Sequence, residues 1–291
     1  MNGVSGTGGQ TQASLDASDW SAHGQQEVLL SRPVELKENP WGYGKRLRFM
    51  RKSIQNSFPQ CEPGRVRVLD VGCGNGALLA IPLASHGFDV TGVDVHPASI
   101  ENARSRAKNL PNARFCLGKV EEIQDETFDV VILSEVLEHV PDPKALLEAS
   151  LEHLKADGIC LITVPNGYGV FEIDSWLYRT FRLHAAFNLF KRILRTFFPS
   201  HFTLHRTPTP ATQNLECGHL QFFRRKRLKK IFADCSLTVI REAAGCFLCG
   251  PVICETLARS QRFVEWNIRI VDLLPLTFAS SWYFLLRRSR P

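Results

Sequence analysis

The run Val68-Leu69-Asp70-Val71-Gly72-Cys73-Gly74-Asn75-Gly76 constrains this chain more than any other segment. A short apolar strand leads through one acidic residue into three glycines at alternate positions. Glycine carries no Cβ and tolerates positive φ, so such a turn bends sharply and lets a ligand come within contact distance of the backbone. The next segment, from Ala77 to Ser85, is expected to form a helix whose first free N–H groups face that ligand.

Gly72, Gly74 and Ala77 also satisfy the looser dinucleotide pattern G-x-G-x-x-[GA]. Two features favour S-adenosylmethionine (SAM). Asp70 lies inside the strand just before the turn, where a carboxylate meets a cationic amino acid moiety, and the third glycine comes one position early. Asp94 ends the next apolar strand, where an acid hydrogen-bonds ribose hydroxyls in either cofactor. The glycine pattern alone therefore leaves a dehydrogenase open, and the later motifs decide against it.

Downstream, the pattern alternates strand and helix, as in a mostly parallel sheet covered on both faces. Strands are expected near 66–71, 89–94, 113–117, 128–133 and 158–164, with 237–241 and 281–287 as the sixth and seventh. Asp142-Pro143 supplies an N-cap and a first-turn proline. Leu147, Leu151 and Leu154 follow at helical spacing, and Asp157-Gly158 is expected to end that helix. The segment from Pro40 to Phe58, which holds Arg46 and Arg48, is amphipathic and precedes the first strand.

Residues 68–76, Gly92-Val93-Asp94 and residues 128–140 together resemble a class I SAM-dependent methyltransferase, in the subgroup that includes the ubiquinone-biosynthesis O-methyltransferases. The likeness runs over about residues 60–165 and resumes at 218–223 and 282–286. It implies an α/β fold: a seven-stranded, Rossmann-like, mostly parallel sheet with helices on both faces and helical insertions after strands five and six. The cofactor side it implies comprises Asp70, Gly72, Cys73, Gly74, Gly76, Asp94, Val95, Val120, Glu121 and Ser134, with Arg46 or Arg48 reaching the methionine carboxylate. Lys119 stands where many relatives carry an acid for adenine, so Glu121 or the Val120 backbone is expected to substitute.

A chain of 291 residues, 44% apolar, suits one α/β domain with insertions. Residues 1–38 are rich in Gly, Ser, Gln, Ala and Thr and are expected to be a tail, leaving 39–291 as the catalytic domain. Insertions at 168–216 and 244–275 are expected to cap the substrate. Nine cysteines show no paired spacing, and no apolar signal opens the chain, which points to a reducing, cytoplasmic compartment. The pair Cys246 and Cys249 is expected to be structural.

Methyl transfer needs donor and acceptor held in line and a proton removed from a weak nucleophile. Glu135, Glu138 and His139 follow strand four at i, i+3 and i+4, so on a helical turn all three would face one side of a pocket. With His219 they are the candidate catalytic residues. The run also resembles the arrangement in small-RNA 2′-O-methyltransferases, where two glutamates and two histidines hold a divalent metal, so Mg²⁺, Mn²⁺ or Zn²⁺ is a candidate second cofactor. No N-P-P-Y-type sequence follows strand five, which favours oxygen over an exocyclic nitrogen as acceptor.

Residues 174–200 interleave Trp176, Phe181, Phe187, Phe190, Phe197 and Phe198 with five basic residues, a composition suited to a headgroup layer and too charged to span one. The leading expectation is O-methylation of a small or lipid-linked hydroxyl compound such as a quinol, phenol or glycan, in the cytoplasm with peripheral membrane contact through 174–200. The runners-up are RNA 2′-O-methylation and a non-catalytic SAM-binding role. The basic run 224–230 is expected to be a solvated helix face, which makes nucleic acid the weaker partner.

Overall fold

The computed structural model describes residues 33–124, 126–181 and 219–289. Seven strands form one sheet: β1 (Arg67–Val71), β2 (Asp89–Asp94), β3 (Ala113–Leu117), β4 (Phe128–Ser134), β5 (Leu154–Pro165), β6 (Leu237–Ala244) and β7 (Ser281–Arg288). Their order is β3-β2-β1-β4-β5-β7-β6. Strands β1 to β5 pair in parallel, while β7 runs antiparallel to both β5 and β6. A seven-stranded, mostly parallel sheet is the one expected.

Alternate residues of each strand feed two separate cores, as the two-residue strand period requires. On one face Val68, Val90, Val130, Ile132 and Ile159 pack beneath α1 (Tyr43–Ser57), α2 (Ala80–Ser85) and α3 (Pro97–Arg106). On the other, Leu69, Val93, Val131, Leu133 and Ile162 pack beneath α4 (Pro143–Glu152) and α6 (Arg225–Asp234), with α5 (Val170–Thr180) leading out of β5. The segment between β6 and β7 holds α7 (Pro251–Glu255) and α8 (Gln261–Ile270).

Three boundaries differ from the sequence expectation. Residues expected in the tail join the core: Val34 and Leu36 are buried against the α1–α2 seam, and the Val34 N–H donates to Ser85 Oγ at 2.8 Å. Two apolar residues in a polar stretch are too few to show as a period. Helix α2 begins at Ala80 rather than Ala77, because Gly76 has φ +72° and its carbonyl accepts from Ile81 in a turn. Helix α4 stops at Glu152; Leu154, placed on the helix by its spacing, opens β5 instead, where it pairs with Phe128. The Phe128 N–H donates to the His153 carbonyl at 2.8 Å, and that edge contact ends the helix early.

The tail expected at 1–38 lies outside the described residues up to residue 32, as does 182–200 of the expected interfacial segment. Among the described residues no helix is long and apolar enough to cross a membrane. Every described cysteine is a free thiol.

Candidate active site

Two groups of residues meet at the carboxyl ends of the central strands, where open parallel sheets place their ligands. The first surrounds the glycine turn. Gly72 and Gly74 have φ of +70° and +56°. A Cβ on Gly72 would lie 2.5 Å from Val136 Cγ2, whereas one on Gly74 would meet nothing within 4 Å, so Gly74 borders open space. Asp94 holds the turn: its carboxylate accepts from the Gly74 N–H at 2.8 Å and from the His96 N–H at 2.9 Å.

Asp70 is buried at the end of β1, and burial, helped by the charge of Asp94, pushes its carboxyl up to about 7. An uncompensated buried acid is relieved by a cation. Cys73 sits half-buried between Asp70 and Asp94, and burial raises its thiol well above the usual range. Val95 is 66% exposed just beyond β2, and Leu117, its neighbour on β3, is 49% exposed. Together they present apolar surface at the carboxyl ends of β2 and β3. Leu117 was not singled out from sequence; its position as the last residue of β3, opposite Asp94 in register, is the signal that marks it. Val120 is buried, and Glu121 lies exposed on the turn Val120–Glu122.

The second group sits after β4. Glu135 takes a left-handed conformation, φ 56°, and its side chain turns toward α1. Its Oε1 accepts from Thr163 Oγ1 at 2.9 Å and lies 3.2 Å from Arg46 Nη2. Ser134 Oγ joins this network through Thr163 at 2.9 Å and Arg46 at 3.5 Å. The Arg46 guanidinium is buried between the rings of Tyr43 and Tyr283, its centre 5.6 and 5.9 Å from their centroids, and its Nε has no hydrogen-bond partner. Burial pushes the Tyr43 hydroxyl up to about 12, so it stays protonated. Arg48 points elsewhere, to Glu38.

The helical-turn expectation that Glu135, Glu138 and His139 face one side is therefore corrected. The turn Leu137–His139 starts after Glu135, so helical spacing does not reach back to it. Instead Glu138, His139 and His219 converge, with one ligand-type atom of each within 4.8 Å of the others. The two imidazole rings meet edge to face with centroids 5.1 Å apart. His219 is brought there by backbone pairing, since the N–H groups of Leu220 and Gln221 donate to the Glu138 carbonyl at 2.8 and 3.0 Å.

Glu138 is 1% exposed and its Oε2 has no hydrogen-bond partner; the Nδ1 of His139 is likewise buried and unbonded. Burial and the nearby Glu135 charge push the Glu138 carboxyl well above the carboxylate range. Burial and His139 lower His219, which leaves its imidazole neutral near neutral pH. A buried acid with a spare oxygen beside two imidazoles is a donor set that fits a divalent cation.

An open depression of about 300 Å³ is lined by Gly167, Tyr168, Gly169, Ile173 and Trp176. Gly167 abuts the backbone of Phe222, whose ring lies 6.2 Å from that of His219.

These features define a class I methyltransferase sheet with its SAM-binding turn. A family model described as a methyltransferase domain matches residues 43–242, and the chain belongs to that family. The chain is 36% identical over 123 residues to the ubiquinone biosynthesis O-methyltransferase of Rickettsia felis, covering 42% of this chain and 49% of that protein. It is also 36% identical over 132 residues to the human mitochondrial enzyme of that name, covering 42% and 36%. The chain thus matches about half the length of these relatives or less. Among solved structures, a putative sarcosine dimethylglycine methyltransferase from Galdieria sulphuraria superposes with a TM-score of 0.51 at 14% identity, covering 84% and 86% of the two chains. That likeness shows the fold.

Proposed function

We propose that the chain transfers the methyl group of SAM to a hydroxyl oxygen of an acceptor that carries an apolar portion. The observation that carries this reading is the meeting, across one strand end, of the glycine turn and the Glu138–His139–His219 cluster, with an apolar depression linked to His219 through Gly167 and Phe222. Gly72, Gly74 and Gly76 shape the donor site, Asp70 and Arg46 take the ammonium and carboxylate of its methionine part, and Asp94 takes the ribose hydroxyls. Val95 and Leu117 flank the adenine.

The acceptor oxygen attacks the sulfonium methyl in line; the O–C bond forms as the S–C bond breaks, and the sulfur leaves as a neutral thioether. When no cation occupies the cluster, His139 or His219 accepts the hydroxyl proton, and the lowered basicity of His219 keeps its lone pair free near neutral pH; with a cation bound, both imidazoles serve as ligands and the hydroxyl, its pKa lowered, loses its proton to solvent. Glu138, His139 and His219 would hold a divalent cation, which when bound acts as a Lewis acid on the acceptor hydroxyl. Glu135 serves on the donor side by fixing Arg46. Trp176 and Phe181, 57% and 63% exposed, support a lipid-linked acceptor reached by peripheral membrane contact from the cytoplasmic side.

The test is transfer of labelled methyl from SAM into a cell extract, then separation into organic-soluble and aqueous macromolecular fractions, with and without chelator. Label in the organic phase, lost with chelator, is the expected result. Label confined to RNA would overturn the acceptor reading, full activity in chelator the metal, and cofactor binding without any transfer the enzyme reading itself.

A further inference from the structure

The segment between β6 and β7 carries a surface that methyl transfer does not use. Helix α8 buries Val264, Asn267 and Ile268 on its inner side. It is tied to α1 by Lys45, whose Nζ donates to the Ile268 carbonyl at 3.1 Å and to Asp272 at 2.6 Å. The outer side, continued by the turn Val271–Leu273, presents Arg262, Trp266, Arg269 and Leu273 at i, i+4, i+7 and i+11. All four are exposed, Trp266 at 48% and Leu273 at 80%, and the ring of Phe263 lies 5.6 Å from that of Trp266.

Isolated exposed apolar groups are ordinary. A single helical stripe alternating arginine with tryptophan and leucine is not, and its charges choose among occupants. A second protein packed on Trp266 and Leu273 would also cover both guanidiniums; of the acids nearby, Glu265 is half-buried and stands 3.8 Å from Arg269, and Asp272, exposed beside Leu273, is neutralised by Lys45 at 2.6 Å. A headgroup layer takes every member of the stripe: arginines at the phosphates, the indole at the interface, leucine beneath it.

We infer that the outer side of α8 and its following turn dock on an anionic lipid bilayer, with the helix lying in the plane of the interface. This surface differs from the α5 side invoked above and does not depend on which acceptor is methylated. Because α1 carries both Lys45 and Arg46, docking would place the bilayer one helix away from the donor site.

The experiment is co-sedimentation of the full chain with vesicles of phosphatidylcholine plus phosphatidylglycerol, and with phosphatidylcholine alone. SAM binding in solution serves as the folding control. Each basic group at an anionic surface strengthens binding about fivefold (~1 kcal/mol), so R262A/R269A should bind the mixed vesicles about 30-fold more weakly. W266A/L273A should weaken binding to both vesicle types. Unchanged partitioning in both variants overturns the inference, as does loss confined to W176A/F181A. A lipid-free dimer that W266A/L273A converts to monomer also overturns it, since the stripe would then pair with a second copy.

Discussion

Replacing Asp70 with asparagine should raise the stability of the unliganded protein while weakening its hold on SAM. In the folded chain the Asp70 carboxyl is pushed up to about 7, from an ordinary 3.8, by burial and by Asp94. The folded state therefore keeps a proton that the unfolded chain gives up. The sign follows from linkage: the group does not oppose folding below the ordinary value, its penalty grows as pH rises from 3.8 to about 7, and above that the penalty is complete. At about 1.4 kcal/mol per pH unit the full penalty is about 4 kcal/mol. Asp70→Asn removes the charge, so at pH 8 the unliganded variant should melt higher, by about 2–4 °C per kcal/mol regained. Near pH 4 the two proteins should melt together.

The effect on ligand has the opposite sign, because the cationic amino group of SAM favours the ionised carboxylate. Losing a hydrogen bond to a charged group costs about 1.5–3 kcal/mol, which is roughly a 10- to 150-fold loss of affinity. Wild-type affinity should rise with pH up to about 7, and the variant's should not. Thermal melts at pH 4 and pH 8, with titration calorimetry of SAM, separate the two terms. A variant no more stable than wild type at pH 8 would refute the claim that burial works against this charge.

Gly72→Ala places a Cβ 2.5 Å from Val136 Cγ2 at φ +70°, so it should cost about 1–3 kcal/mol in denaturant titrations as well as SAM affinity; a neutral result would mean that the turn relaxes. Glu138→Gln should lower divalent-ion affinity, measured by calorimetry with Mn²⁺ or Zn²⁺, by more than the roughly 10–100-fold that loss of a supporting partner costs. An unchanged affinity would remove Glu138 from the ligand set. Arg46→Lys keeps the charge but loses the planar fork between Glu135 and Ser134, so KM for SAM should rise about tenfold or more with a smaller change in kcat. A fall in kcat at constant KM would assign Arg46 to the acceptor side.

The strands were legible because a parallel sheet covered on both faces demands near-continuous apolar runs, and residues 68–71, 89–94 and 128–133 supply them. Their order at the far edge, with β7 between β5 and β6, was not read from the sequence, because strand order depends on pairings that no local pattern carries. Helix ends were less legible: Leu154 keeps helical spacing with Leu147 and Leu151, yet pairs as a strand because its partner Phe128 is 26 residues away in sequence. The site shows the same division. The positive φ of the glycine turn and the end of β2 at Asp94 are local and were legible, whereas the parting of Glu135 from Glu138 depends on a single positive φ that no spacing rule anticipates. Thr163 was overlooked because its role is purely spatial, through hydrogen bonds to Ser134 and Glu135 from the neighbouring strand.

That positive φ has a chemical consequence. Were Glu135 to continue the turn that follows, a fourth charged or titratable group would crowd Glu138, His139 and His219 and leave Arg46 buried without its counter-ion. Breaking a buried pair costs about 3–5 kcal/mol, whereas one left-handed non-glycine residue costs about 1–3. The balance favours the observed backbone, and Thr163 secures it by bonding both the Glu135 N–H, through its carbonyl at 2.9 Å, and the Glu135 carboxylate, through its hydroxyl. One reversal of the backbone after β4 thereby turns Glu135 toward Arg46 and leaves Glu138 with His139 and His219. In the reaction proposed above, donor and acceptor would then stand on opposite sides of a single residue's turn, which is the separation that an in-line displacement needs.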